Sequence, residues 1–413
     1  MISKLIGVVA ILGLGTKVVD GRVDISVAGC DGLDSIPNPL QDDTYVDFKG
    51  DVTCSPLKTV PIVGDHLCQL NSDTSVTFSG VRFEILEDSK LDVKFAAGQD
   101  AVFQGNEAEA DGGVFFVGED SELVFRRPAF FRDNTVAATE STTYTGGAIY
   151  SIGKVTFEDT ADFTGNSAVS NFDTRAGCGG AIYTKDKIEF EGKTTFEGNN
   201  AGAGGAGGAL CNLDEAVFRR EAVFIKNVAR EDGDEVGGEG GAVYAGIESK
   251  TVFKYPTTFT ENLGDNSAGA IYSAGRTTLE SDVFFHYNKA KGADFRKGGQ
   301  VFVSRGDFKV KGATDFTGGS ANDGGGMFID TKGEARFVGD VLFASNQATD
   351  GSGGAVFVNG EGELTFDNGV SFLENTAVSA PTLTLTRDPE PQPGAHRSPQ
   401  HYSPAAGTSA LEY

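Results

Sequence analysis

Side chains able to build a catalytic or metal centre are few in this chain, and their spacing argues against one. Of four histidines, His396 and His401 fall in a proline-rich tail, and His66 lies in the N-terminal region. His286 sits inside Phe285-His286-Tyr287-Asn288, at a variable position of a repeated motif, where a surface role outweighs a catalytic one. Cys30, Cys54, Cys68, Cys178 and Cys211 contain no CxxC and have no nearby His pair, which is not the spacing of a zinc site. Gly192-Lys193-Thr194 resembles the end of a phosphate loop, but Lys187 stands where the first glycine of that loop belongs. The glycine run from Gly202 to Gly208 lacks the aspartates of calcium-binding nonapeptides. The expectation is therefore no catalytic residue, no metal site and no cofactor.

Residues that could hold a ligand collect in three stretches of variable length, 135–145, 167–178 and 228–239. The binding candidates are Tyr144 in the first, Phe172, Asp173 and Arg175 in the second, and Asp232, Asp234 and Glu235 in the third. Aromatic rings can stack on a ligand, and the acids can make polar contacts or hold a metal ion. Solvated connections are the plainer reading of the same stretches.

What positions these stretches is a repeat of 26–35 residues with three anchors. The first is a Gly-Gly pair followed by a small residue, an aliphatic and usually an aromatic, as in Gly146-Gly147-Ala148-Ile149-Tyr150 and Gly240-Gly241-Ala242-Val243-Tyr244. The second is a β-type run centred on Phe125, Phe157, Phe190, Phe218, Phe253, Leu279, Val310, Phe337 and Phe366. The third is Phe-x-x-Asn, beginning at Phe103, Phe131, Phe163, Phe196, Phe224, Phe259, Phe285, Phe343 and Phe372, while Phe316 has Gly319 where asparagine belongs. Second and third anchors always lie six residues apart, so the turn between them is fixed. Pro128 and Pro256 both fall three residues after a second anchor, which makes that place a corner, because proline cannot donate to a ladder.

Three short strands per unit cannot bury a core alone, but stacked units can, with like residues lying over like at about 4.8 Å. The fold expected is all-β, a right-handed single-stranded parallel β-helix, or pectate-lyase-like solenoid, of about ten coils with three strands per coil. In it the asparagine amides hydrogen-bond their copies above and below, and the Gly-Gly pair supplies a positive φ. Length varies between the asparagine and the next Gly-Gly pair, and in solenoids such insertions gather on one face, often the binding face.

The alternation of Gly-Gly-Ala-Ile with Phe-x-x-Asn, in register from Phe103 to Ala377, resembles the polymorphic outer membrane protein repeat of chlamydial adhesins and autotransporters. The resemblance implies a β-helical passenger and adhesion to host surfaces. Autotransporters of that family also carry a C-terminal membrane barrel, whereas residues 381–413 hold six of the twelve prolines and show no alternating strand pattern. Similar repeats occur in large secreted proteins of microbial eukaryotes, which this chain resembles more closely.

Residues 1–21 read as a signal peptide, with Lys4 ahead of an apolar run from Leu5 to Gly15, shorter than the roughly 20 residues of a spanning helix. Export makes disulfides expected. Cys30, Cys54 and Cys68 suggest a bridge within an N-terminal cap at 22–75, without assigning pairs. The β-helix is expected over 76–380 and an extended, disordered tail over 381–413. A net charge of −25 repels nucleic acid and anionic lipid. The partner expected is an extracellular or cell-surface glycan or protein, bound by a secreted or surface-held monomer with no transmembrane span. The competing readings are a lyase, hydrolase or epimerase acting on acidic polysaccharide, and a structural wall or coat protein.

Overall fold

The computed structural model describes residues 17–19, 22–34, 44–63, 67–137, 145–169, 177–230, 237–291, 296–379, 400–402 and 409–411. Each repeat closes one coil of a parallel β-helix, and every strand of a coil pairs in parallel with its counterpart one coil above and one below. Ile149–Ser151, Lys154–Phe157 and Ala161–Thr164 are the three strands of one coil, and they pair in register with Ile182–Thr184, Ile188–Phe190 and Thr194–Glu197 of the next. The coils thus have three walls, one for each anchor.

A fourth strand was not expected. Two to four residues after each asparagine, such as Thr135–Ala137, Ser167–Val169 and Val228–Arg230, form a separate ten-stranded parallel sheet. Fixing the asparagine in place brings the backbone that follows it into ladder distance of its copies.

The core follows the alternation of each strand. Phe125, Phe157, Phe190 and Phe218 stack as near-parallel, offset rings in one column at centroid separations of 4.6–5.1 Å. Phe131, Phe163, Phe196 and Phe224 stack in a second column, and the columns meet edge to face, as between Phe157 and Phe163 at 5.7 Å and 88°. Both geometries suit the ring quadrupole. Pro128 turns the corner between the second and third walls, and its carbonyl still accepts from the amide of Ala101.

Asn134, Asn166, Asn199, Asn227 and Asn262 are buried in one column. Each Nδ2 donates to the Oδ1 of the next asparagine at 2.8–2.9 Å and to the carbonyl of a phenylalanine in the preceding coil. The two glycines of the first anchor divide their work. Gly146 has φ +68°, and a Cβ on Gly147 would stand 2.1 Å from the carbonyl oxygen of Gly180. Where the first glycine is missing, Ala268 itself takes φ +58°.

The expected cap at 22–75 contributes strands to the same stack, since Arg22–Val27, Thr44–Phe48 and Leu67–Ser72 continue the second wall in parallel. Residues 1–16, which carry most of the expected leader, lie outside the described residues. The tail, expected to be extended and disordered, supplies Gln400–Tyr402 and Ser409–Leu411, which pair antiparallel with Glu363–Phe366 and Val356–Val358. The last coil offers open backbone donors and acceptors there, and a strand of either direction can satisfy them. Among the described residues no helix is long and apolar enough to cross a membrane.

Two disulfides are present, Cys30–Cys54 and Cys178–Cys211. The first joins the short helix Gly29–Leu33 to the strand Val52–Ile62.

Candidate functional site

The fourth strands and the starts of the next first strands form one edge of the rod, and the variable stretches leave from it. Tyr144, Phe172, Asp173, Arg175, Asp232, Asp234 and Glu235 all lie outside the described residues, but the roots of their loops are described. Thr135 pairs with Ser167, Ser167 with Asn200, and Asn200 with Val228. The first two loops therefore spring from adjacent levels, about 4.8 Å apart, and the third from two levels further on. The coil between them turns through Gly202–Gly208, which folds tightly because a Cβ on Gly205 would lie 2.1 Å from the Ala201 carbonyl oxygen.

Polar contacts fasten the roots. Asp111 Oδ1 accepts from the backbone N–H of Thr145 at 2.7 Å and from its hydroxyl at 3.2 Å, at the end of the first loop. Burial pushes the Asp111 carboxyl above its ordinary value, against the pull of the Thr145 hydrogen bonds and Arg82. The Arg82 guanidinium donates to the carbonyls of Gly112 and Asp111 at 2.9 and 2.7 Å. Cys178, at the end of the second loop, is tied to Cys211 in the next coil.

Beside this edge runs a column that the sequence reading did not assign. The aromatic ending each first anchor alternates with the inward aliphatic and so faces outward. Phe116, Tyr150 and Tyr183 stack at 5.4 and 5.0 Å, and Tyr244, Tyr272, Phe302, Phe328 and Phe357 stack at 5.0–5.2 Å. Cys211 holds the level between the two runs. Burial pushes the Tyr183 hydroxyl up to about 12, reinforced by the charge of Asp111, and the Lys185 ammonium lies 5.6 Å from its ring centre. These rings spend their faces on one another, and Tyr183, Phe302, Phe328 and Phe357 are buried, so the column is packing surface that offers little to a ligand. A period-two reading of Gly-Gly-Ala-Ile-Tyr contains the signal for this column.

The second wall presents a different surface. Glu122 lies between Lys90 at 2.5 Å and Lys154 at 3.1 Å, and Glu215 lies between Lys250 at 2.5 Å and Lys187 at 3.6 Å. Hydrogen bonding from Lys250 holds the Glu215 carboxyl below the usual carboxylate range despite some burial. Charges paired along the ladder in this way form a solvated face. Among the described residues no group of three or more His, Cys, Asp or Glu side chains is placed to hold a metal ion.

Residues 160–185 match the family model of the Chlamydia polymorphic membrane protein repeat. They run from the third wall of one coil, through Phe163 and Asn166, to the first wall of the next at Gly179-Gly180-Ala181-Ile182-Tyr183. No curated protein and no solved structure matches the chain at a significant level.

Proposed function

Taking as premise a parallel β-helix that carries the polymorphic membrane protein repeat, we propose that this protein is a non-catalytic surface-binding rod whose ligand is held along the loop edge. The observation that carries the reading is the common origin of the three longest insertions, rooted on three of four successive levels of one edge. A rigid ladder fixes the spacing of their bases, so loops of different sequence can present one composite surface. Tyr144, Phe172, Asp173, Arg175, Asp232, Asp234 and Glu235 supply aromatic and polar contacts to it. The molecule works at a cell surface or outside the cell, as a monomer, on a glycan or protein ligand.

The test replaces residues 170–176 with a short Gly-Ser link and measures attachment to intact cells and to immobilised glycans. Attachment should fall at least tenfold while the circular dichroism spectrum and melting temperature stay unchanged. Undiminished attachment removes the reading. So does release of unsaturated products from uronic-acid polymers by the intact chain, which makes the protein an enzyme.

A further inference from the structure

The third wall, which ends at the asparagine corner before the loop edge, carries few charges on its outward positions. Near the C-terminal end it opens into a depression of ≈ 400 Å³. Phe284, Asp315 and Leu342 are outward residues on three consecutive levels, in register with one another. A carboxylate is thereby flanked by two apolar side chains, and Phe284 is 39% exposed. At the corner beside them stand Asp282, Ala313 and Asp340 on the same three levels, since the amides of Val283 and Thr314 donate to the carbonyls of Ala313 and Asp340. The small Ala313 leaves the space that Asp340 borders.

Thr314 lines this depression, is 3% exposed, and its hydroxyl has no hydrogen-bond partner. Its counterparts behave differently. Thr194 and Thr257 donate their hydroxyls to the carbonyls two residues earlier, of Gly192 at 3.4 Å and Tyr255 at 3.0 Å. Asp315 is already engaged by the Thr317 hydroxyl at 2.5 Å and by His286 Nε2 at 3.3 Å, and Asp340 Oδ1 accepts from the amide of Gly369 at 3.1 Å.

We propose that this depression is a binding site for a lysine side chain of a protein partner. Its methylene stem lies between Phe284 and Leu342, and its ammonium meets Asp315, Asp340 and the Thr314 hydroxyl. No Lys or Arg lines the depression, and an ammonium brings three donors to three acceptors. An aliphatic stem with a charged head matches apolar walls above a carboxylate floor, and an exposed aromatic face attracts a cation. A sugar would need donors in return for its own oxygens, and here only two hydroxyls, of Thr314 and Ser371, can donate. The net charge of −25 raises the local concentration of cations and repels anions.

The test uses the full chain and three small probes, the N-acetyl methylamides of lysine, norleucine and arginine, read by saturation-transfer NMR. The lysine probe should show millimolar binding with at least threefold more saturation of its methylenes than the uncharged norleucine probe. Phe284→Ala and Asp340→Asn should each reduce that signal at least threefold, while Asp162→Asn, on the same wall five levels away, leaves it unchanged. Asp340→Asn is nearly isosteric, so it decides the matter even where Phe284→Ala perturbs folding. Equal saturation of lysine and norleucine, full retention in Asp340→Asn, or stronger binding of the arginine probe overturns the assignment. None of these results depends on the loop edge.

Discussion

The side-chain amide of Asn288 donates from Nδ2 to Oε1 of Gln300 at 2.9 Å, crossing the level where the buried ladder has no asparagine. Gln300 Nε2 then donates to Oδ1 of Asn346 and to the carbonyl of Thr317, each at 3.1 Å. Gly319 occupies the vacant asparagine position, and a Cβ there would stand 2.4 Å from Cγ of Gln300. A glutamine reaching over from the start of the next first strand thus replaces the missing rung, and the glycine makes room for it.

These two residues should be energetically coupled. Gln300→Ala leaves one buried Nδ2 hydrogen of Asn288 without its acceptor and takes one donor each from Asn346 Oδ1 and the Thr317 carbonyl, and should cost roughly 2–4 kcal/mol. Gly319→Asn alone should cost a similar amount through the clash with Gln300. The double variant should cost less than the sum by roughly 1–2 kcal/mol, with recovery incomplete because the Gly325 carbonyl oxygen also stands 2.2 Å from the new Cβ. Additive losses in urea denaturation would mean that the glutamine is not the substitute rung.

Phe196 is fully buried between Phe163 at 4.8 Å and Phe224 at 4.9 Å. Phe196→Ala should cost about 3–5 kcal/mol, the transfer term plus the cavity. A measured loss below about 1 kcal/mol would show that the column is not a core.

Asn199→Asp removes both donors of a mid-ladder amide, those that reach Asn227 Oδ1 and the Phe163 carbonyl at 2.9 Å. It also places a carboxyl in a buried site with no cation. The cost at neutral pH should be roughly 3–5 kcal/mol. Burial without a counter-charge raises the native pKa of the introduced carboxyl above its unfolded value of about 3.9. Its share of stability is therefore kept below that value and lost as pH rises through the native pKa, so the deficit against the parent should be smallest near pH 4 and largest at neutral pH. A deficit that does not change with pH between about 4 and 7 would show that the introduced group remains solvated.

Cys178–Cys211 closes a sequence separation of 33 residues beside the second loop. Replacing both cysteines by serine should lower stability by roughly 3–4 kcal/mol on the chain-entropy account, and reductant should lower the parent more than the variant, which keeps only Cys30–Cys54 to lose. An unchanged denaturation midpoint in the double variant would mean that the coil stack alone holds this level.

The phenylalanine columns, the proline corners and the asparagine ladder were legible in the sequence because each coil repeats one local pattern. Phe125 and Phe157 occupy the same phase, and stacking then brings them together. The loop roots were legible on the same ground, although Tyr144, Phe172 and Asp232 themselves lie beyond what the structure describes. The outward column from Phe116 to Tyr183 was written in the same alternation and needed only the second phase to be read.

Tertiary structure alone decided what depends on neighbours in different coils. Gly319 reads as a lost asparagine until Gln300 is seen filling its place. Cys178 finds Cys211, and Cys30 finds Cys54, through the offset between levels, which a count of cysteines cannot supply. Phe284, Asp315 and Leu342 become one depression only when three levels are superposed. A repeat states what each coil contains, whereas side-chain contacts between coils depend on exceptions to the repeat meeting one another in space.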